Sequence, residues 1–249
     1  MQKYGCIPDL PDHRDFKFCA TPDTIKKLPP LVDLRPKMPP VYNQLQLGSC
    51  TANAISAAVE YDHMAESKGE WMPSRLFLYY NERAIEGTIQ SDAGAMIRDG
   101  IKSLNKQGIC HESIWPYDIN KFAVKPSNQA YLDAVKYQAV KYERVSQNLT
   151  SIKSSLALNI PVVIGISVYS SFESPEVAKT GIVTMPAADE QLLGGHAVLC
   201  VGYNDATQQW IIRNSWSQSW GLAGYFMLPY VYLLEADLSS DFWAINLVK

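Results

Sequence analysis

A cysteine stands where a helix is predicted to begin. The segment NQLQLGSC ends at Cys50, and the small-residue run TANAISAAVEY after it is typical of a packed helix. A cysteine in the first turn of a helix feels the positive end of the helix dipole, which favours the nucleophilic thiolate. Cys50 is therefore a candidate nucleophile, although a lone cysteine is more often only a buried packing residue.

A histidine and an asparagine could complete this chemistry. GGHAVLCVGYND predicts a strand that carries His196, and IIRNSW places Asn214 at the end of the next one. Adjacent antiparallel strands can bring the two side chains together. A cysteine nucleophile needs an imidazole within hydrogen-bond reach, and the imidazole needs a third group to hold its tautomer. The three residue types therefore indicate acyl transfer through a thiolate.

The elements that would position these residues differ along the chain. Residues 1–40 are dense in Pro and Asp and predict an extended or irregular segment. Apolar periodicity predicts helices over 50–67, 74–87 and 95–108. Ser74 is a plausible N-cap of the second helix, and glycines stand at the ends of the second and third.

The pattern changes in the second half of the chain. After a last predicted helix over 149–158, the runs PVVIGISVY, GGHAVLCVGYND, QWIIRNSW and GYFMLPY predict strands. The sheet should be antiparallel because the connections are too short for crossover helices. Helices joined near residue 140 to a sheet indicate an α+β protein with a groove at the junction.

Composition limits the classes of protein that this chain can be. It has 249 residues, 47% apolar and 19% charged, with a formal net charge of −3, so no electrostatic footprint for nucleic acid or an anionic membrane is present. No apolar run is long enough to span a bilayer, and the N-terminus lacks the apolar core of a secretory signal. The five cysteines and four histidines make no metal-ligand spacing, and no disulfide framework is required.

Together the motifs resemble the papain family of cysteine peptidases, over nearly all of residues 30–249. In chain order they are LPPLVDLR, NQLQLGSC, GICHESIWPYD, IPVVIGISV, GGHAVLCVGY and RNSWSQSWGLAGY. The chain resembles the bacterial and viral members of the family that lack the usual long prosegment. The resemblance implies a two-lobed fold, with a helical left lobe, an antiparallel β-barrel-like right lobe and the active-site cleft between them.

The resemblance also implies how the chain divides. Residues 31–140 would form the helical lobe with Gln44 and Cys50, and residues 141–249 the β lobe with the other catalytic residues. Residues 1–30 would form an N-terminal arm whose apolar and aromatic residues favour docking on the body. Two positions stay open for this arm, over the cleft or on the back of one lobe.

Each site residue takes a role from the resemblance. In a cysteine endopeptidase Cys50 attacks the carbonyl, His196 is general base and acid, Asn214 orients His196, and Gln44 with the Cys50 N–H binds the oxyanion. The substrate-binding residues would be Gly94, Met96, Gly194, Gly195 and Trp216. No metal or organic cofactor is implied. The expected partners are protein or peptide substrates, without nucleic acid or membrane, and the expected state is a monomer.

Several positions depart from the family pattern. Leu47 and Ser91 occupy positions where relatives from oxidising compartments carry a disulfide, which favours a cytoplasmic location, with export by a route without a signal peptide left open. Thr51 stands where Trp is common, and Gly195 stands where Asp or Asn is often found before the histidine. These changes remove no catalytic group.

Alternatives remain at the level of function and specificity. The groove could hold peptides without cutting them, as in a pseudoprotease, or the same acyl-enzyme could serve a transferase or an isopeptidase. A pocket near Met96, Ile166 and Gly194 would favour an apolar residue two positions before the cut. Asp241, close to the expected pocket floor, leaves a basic residue as an alternative.

Overall fold

Helices dominate the first half of the chain and an antiparallel sheet the second. The computed structural model describes residues 2–66, 71–139 and 141–246. The helices are α1 (Pro22–Lys26), α2 (Cys50–Ala65), α3 (Arg75–Glu86), α4 (Ile97–Gln107), α5 (Asn128–Ala134), α6 (Leu149–Ala157), α7 (Pro175–Thr180) and α8 (Tyr230–Leu234). The strands are β1 (Cys6–Ile7), β2 (Leu31–Asp33), β3 (Ala95–Met96), β4 (Lys141–Arg144), β5 (Val162–Tyr169), β6 (Leu192–Asn204), β7 (Gln209–Arg213), β8 (Tyr225–Pro229) and β9 (Ser239–Asn246). The predicted α+β class is confirmed.

The long helix α2 lies between the other helices and the sheet. It contacts α3 and α4 on one side and β6 on the other, so it is buried nearly all round. Alanines at positions 52, 54, 57 and 58 let its neighbours approach closely. Because Cys50 is its first residue, the helix carries the thiol to the junction of helices and sheet.

The sheet is antiparallel throughout its main path. Its strands follow the order β4-β9-β5-β6-β7-β8, and β2 pairs with β6 beside that path. Residues 31–33 therefore join the sheet although they precede α2 in sequence. The central strands β5 and β6 are buried over most of their length, and β6 packs against α2.

Local signals predicted α3 well. The Ser74 side chain accepts a hydrogen bond from the Phe77 N–H, and Gly87 ends the helix with φ of 74°. That left-handed conformation strains residues with a Cβ and suits glycine. Both predicted boundaries are confirmed.

Other predicted boundaries were wrong. The third helix begins at Ile97 and not at residue 95, because Ala95–Met96 pairs in parallel with Cys6–Ile7 of the N-terminal segment. Helix α6 is not the last, since α7 and α8 follow it.

Some elements were not predicted at all. The short helix α5 was missed because its seven residues are too few to show a periodicity, although Ser127 caps it. Strands β4 and β9 were also missed. The predicted end of the first helix at residue 67 lies outside the described residues, and α2 ends at Ala65.

None of the helices that the structure describes is long and apolar enough to cross a membrane.

Candidate active site

The Cys50 thiol is enclosed. Cys50 is a free cysteine with 0% of its surface exposed. Backbone N–H groups of Ala197, Gly5 and Thr51 donate to its sulfur. The first comes from the sheet, the second from the N-terminal segment and the third from α2 itself. Three donors around one sulfur favour the thiolate over the thiol.

Neighbouring strands bring His196 and Asn214 together. The β6–β7 register pairs Leu199 with Arg213, so the residue after β7 lies beside the early part of β6. The two side chains are joined by a contact of 2.8 Å between His196 Nε2 and Asn214 Oδ1. Both are buried. The sequence prediction that adjacent strands would bring them together is therefore confirmed by geometry.

This contact fixes the tautomer of His196. Asn214 Oδ1 also accepts the Ser215 N–H at 2.8 Å, so that atom must be the amide oxygen. Nε2 of His196 must then donate to it and carry the hydrogen. Nδ1 is buried without a hydrogen-bond partner among the described residues. In this tautomer Nδ1 is the ring atom that can accept a proton. The next residue, Ala197, donates its N–H to the Cys50 sulfur.

An aromatic wall covers the histidine. The Trp216 indole stacks on the His196 ring with centroids 5.0 Å apart and an angle of 25° between the planes. Phe172 and Trp220 pack edge-on against Trp216. The indole is 5% exposed, so it shields the His196–Asn214 hydrogen bond from water.

Gln44 is locked with its amide nitrogen toward the cleft. Its Oε1 accepts the Ser215 hydroxyl at 2.6 Å, which leaves Nε2 as the donor. That nitrogen lies 3.0 Å from the Leu47 carbonyl and 3.1 Å from the Lys3 carbonyl. A donor held in this way beside the first turn of α2 can stabilise negative charge on an oxygen.

The N-terminal segment, here named the arm (residues 2–28), runs through this cleft. The Gly5 N–H donates to Cys50, the Gly5 carbonyl accepts the Ala95 N–H at 2.8 Å, and the Lys3 carbonyl lies on Gln44. The Tyr4 ring contacts His196 edge-on with centroids 6.0 Å apart. Arm backbone therefore occupies the space around the thiol.

The predicted substrate-binding residues all contact the arm. Met96 pairs with Ile7, and Trp216 lies against Tyr4 with ring centroids 6.2 Å apart. The glycines allow a close approach of the backbones. A Cβ on Gly94, Gly194 or Gly195 would lie 2.2, 2.9 or 2.3 Å respectively from an arm atom.

A cluster of opposite charges holds the next part of the arm. Arg144 contacts Asp9 at 2.9 Å and Asp15 at 3.0 Å, and Arg98 contacts Asp15 at 2.5 Å. Asp9 also accepts the Trp243 indole N–H at 2.9 Å, and its side chain is fully buried. The guanidinium of Arg98 also donates to the Leu10 carbonyl of the arm, and it lies over the Trp243 ring at 5.8 Å from the ring centroid.

Asp241 belongs to this cluster. Its carboxylate accepts the Asp9 N–H at 2.9 Å, the Ser240 hydroxyl at 2.9 Å and Arg144 at 3.2 Å. Because these three groups already donate to the Asp241 carboxylate, it would attract a basic substrate residue only weakly. The alternative of a basic residue in the pocket thus loses its main support.

Burial sets the charge of the two central groups. Burial raises the pKa of Cys50 to about 11, although the N–H groups that donate to the sulfur lower it in part. It also lowers the pKa of His196 to about 4, partly opposed by the hydrogen bond to Asn214. With the arm in place, both groups are therefore neutral at pH 7.

Several participants were not predicted from sequence. Tyr4 and Asp9 lie far in the chain from Arg144 and from the catalytic residues, and none of the three is part of a local motif. Glu82, which accepts a hydrogen bond from Thr51 beside the nucleophile, was also missed. The replacement of Trp by Thr51 was the available signal, because a hydroxyl in a buried position needs a partner.

Comparisons with known proteins agree with this geometry. Residues 28–232 match the family described as papain family cysteine protease. The chain belongs to the papain family of cysteine proteases. It is 41% identical over 270 aligned residues to the uncharacterized peptidase C1-like protein L477 of Acanthamoeba polyphaga mimivirus, covering 98% of this chain and 87% of that protein. The crystal structure of xylellain, a cysteine protease from Xylella fastidiosa, is 44% identical with a TM-score of 0.94, covering 100% of this chain and 97% of that one.

More distant relatives extend the comparison. Cathepsin K of Gallus gallus is 30% identical over 217 residues, which cover 83% of this chain and 60% of that protein. The chain thus spans less than two thirds of that relative. As a papain-family cysteine protease it is a peptide hydrolase that acts on protein substrates.

Proposed function

We propose that this papain-family protease is an endopeptidase that works through an acyl-enzyme on Cys50. The sulfur attacks the substrate carbonyl and His196 Nδ1 takes the thiol proton. When the C–N bond breaks, His196 returns the proton to the leaving amine and a thioester remains. Water, deprotonated by His196, then hydrolyses the thioester and frees the thiol.

The contacts of Asn214 and Gln44 support auxiliary roles for these residues in the reaction. Asn214 holds the proton on Nε2 of His196 and fixes the plane of the ring. Gln44 Nε2 and the Cys50 N–H stabilise the oxyanion of each tetrahedral intermediate. The observation that most supports the proposal is the tautomer of His196, because it leaves Nδ1 of the ring as an atom that can accept a proton.

The test combines labelling with product analysis. An epoxide or vinyl-sulfone thiol inhibitor should modify Cys50 and abolish cleavage of an internally quenched peptide. Cys50→Ala should lower turnover by at least about 10⁴-fold. Mass spectrometry should find two fragments ending in a free carboxylate and a free amine.

The alternatives give different results. Modification of Cys50 without any cleavage would indicate a pseudoprotease. Products joined to an amine acceptor would indicate a transferase, and cleavage confined to side-chain amides an isopeptidase. Cleavage at the wild-type rate by Cys50→Ala would overturn the proposed mechanism.

We further propose that the arm keeps this peptidase latent. Support comes from the Lys3 carbonyl on Gln44 and from the Gly5 N–H on the Cys50 sulfur, since both occupy positions that a substrate must enter. The arm would act as a tethered plug (residues 2–8) followed by an anchor (residues 9–18) held by Arg98 and Arg144.

A chain that begins at Asp9 tests this division. It should cleave a short fluorogenic peptide faster than the full chain, with little change in melting temperature, because the anchor is intact. Equal rates for the two chains would contradict latency.

A further inference from the structure

A buried carboxyl group lies directly behind the nucleophile. Glu82, on α3, is 0% exposed. Its Oε2 accepts the hydroxyl of Thr51 at 2.8 Å. Thr51 follows Cys50 in α2, and its own N–H donates to the Cys50 sulfur. Glu82 thus holds the second residue of the helix that begins at Cys50.

The other oxygen of Glu82 points toward α4 and is unpaired. Among the described residues Oε1 has no hydrogen-bond partner. A Cβ on Gly100 would lie 2.3 Å from it, so glycine in the middle of α4 makes room for the carboxyl group. Glycine in a helix interior costs up to about 1 kcal/mol relative to alanine. Glu82 therefore joins α2, α3 and α4 at the level of the thiol.

The surroundings favour the neutral form of this acid. Burial raises the pKa of Glu82 well above its ordinary value, and the Thr51 hydroxyl only partly opposes this. The neighbouring cation Arg83 lowers the pKa of Glu82 only in part. The hydrogen bonds described for its guanidinium go to backbone carbonyl oxygens, among them those of Ile89, Ser91 and Phe122. The remaining ionisable groups that act on Glu82, or on which it acts, are Glu86, Asp99, Cys50 and Cys6.

We propose that Glu82 is a positioning residue for the proposed peptidase reaction. As a neutral acid it fixes the Thr51 hydroxyl, and through Thr51 it aims the Cys50 sulfur and the N–H groups of the first turn. Neutrality matters because a charged carboxylate in this apolar setting would oppose formation of the thiolate. The proposal rests on the role of Cys50 as nucleophile.

Three variants separate the hydrogen bond from the charge. Glu82→Gln keeps an acceptor of the same shape, so kcat/KM should stay within about threefold. Glu82→Leu and Thr51→Val each break the bond and should lower kcat by about tenfold to 100-fold, with KM nearly unchanged, as expected for a small misplacement of a reacting group. The double variant Thr51→Val with Glu82→Leu should be no slower than the slower single one, since both remove the same contact.

The thiol itself reports the charge of Glu82. The pH dependence of Cys50 alkylation by iodoacetamide should be the same in Glu82→Gln and in the parent chain. The measurement uses the full-length chain and is repeated with Gly5→Ala added, which opens the cleft. A thiol pKa lower by more than about half a unit in Glu82→Gln would show that Glu82 is charged and would overturn the proposal.

Stability gives a second readout. A carboxyl group with a raised pKa in the folded state makes the protein less stable as pH rises above the unfolded value of about 4.3. Glu82→Gln removes that dependence. Its melting temperature relative to the parent should therefore increase from pH 4 to pH 8, and a constant difference would contradict a neutral Glu82.

A buried acid elsewhere in α2 provides the control. Glu60 accepts the Tyr42 hydroxyl near the far end of the helix. Glu60→Leu should lose stability without changing kcat per folded molecule. If Glu82→Leu does not fold, Thr51→Val still tests the contact. Wild-type kcat in Thr51→Val would overturn the positioning role and leave the peptidase proposal standing, whereas turnover by Cys50→Ala would remove both.

Discussion

At the nucleophile, burial and hydrogen bonding act in opposite directions. Burial under the arm raises the pKa of Cys50 to about 11 and lowers that of His196 to about 4. The three N–H groups on the sulfur favour the thiolate but do not overcome burial. If the arm leaves, water enters the cleft and the desolvation penalty falls for both groups. The same residues can then form the thiolate–imidazolium pair that the proposed mechanism needs.

This difference predicts two pH profiles for Cys50 alkylation. In the full chain the rate should rise only as pH approaches about 11, where the covered thiol ionises. With Gly5→Ala the rise should occur at lower pH, because the thiolate is then solvated and paired with His196. Iodoacetamide rates over pH 4–10, with the modified residue identified by mass spectrometry, test this. Superimposable profiles would contradict control by burial.

Gly5 is the residue at which the arm comes closest to the body. A Cβ there would lie 1.8 Å from the Gly48 carbonyl oxygen, and a backbone atom cannot give way as a flexible side chain can. Gly5→Ala should therefore displace the plug and raise kcat/KM on a short peptide by about tenfold or more. Gln2→Ala is the matched control and should change little. An inactive, well-folded Gly5→Ala would count against the plug.

Gln44 should matter for the chemical step more than for substrate binding. Gln44→Ala removes one oxyanion donor, a loss that typically costs about 10²–10³ in kcat. Initial rates in the Gly5→Ala background separate kcat from KM. A change confined to KM would assign Gln44 to ground-state binding.

At the scale of elements, the site forms where a helix end, a pair of strands and the N-terminal arm meet. The N-terminus of α2 brings the thiol, the β6–β7 pair brings the imidazole and the amide, and β3 pairs with the arm. The anchor contacts Arg98 of α4 and Arg144 of β4. Arm docking therefore depends on charges outside the catalytic group.

The anchor can be weakened without touching the cleft. Asp9→Asn keeps the shape but loses the charge that faces Arg144 and Trp243. A hydrogen bond to a charged group contributes about 1.5–3 kcal/mol, so docking should weaken roughly tenfold or more and activity should rise. Asp12→Asn is the control, because the ion pair that the structure describes for this carboxylate is with exposed Arg14. Equal activation by both variants would mean that the anchor has no specific role.

At the scale of the whole molecule, the arm is also part of the fold. At the end of the anchor, the Phe18 N–H donates to the Arg144 carbonyl, and Phe18 is 7% exposed. The Pro29 carbonyl then accepts the Tyr203 hydroxyl where the chain enters the sheet. The plug and the rest of the arm thus belong to one continuous segment, and the two parts have separate effects.

Deletion of the whole arm should show how much the arm stabilises the fold, whereas deletion of the plug alone should change only the activity. A chain that begins at Pro29 loses the burial of Phe18, worth about 1.5–3 kcal/mol, and the anchor ion pairs. Its melting temperature should fall by about 4–8 °C, while the chain that begins at Asp9 should stay close to the full chain. Calorimetry on the three chains tests this. Equal melting temperatures would leave the arm no stabilising role.

The sequence by itself determined what depends on neighbours along the chain. Ser74 and Gly87 bound α3 because caps act within one turn, and the β-branched runs became β5 to β8 because strand patterns repeat every two residues. The order of Cys50, His196 and Asn214, with their flanking motifs, was enough for the family. Short elements such as α5 and β3 stayed hidden because a few residues show no period.

The tertiary structure alone decided where distant segments meet. Asp9 and Asp241 are 232 residues apart, and no local pattern reports that one accepts the N–H of the other. The same holds for Gly5 at Cys50, and for Glu82, whose pKa is raised because the packed helices exclude water from it. Burial and long-range contacts set these pKa values. They depend on the packed molecule, whereas residue types and spacing are already present in the unfolded chain.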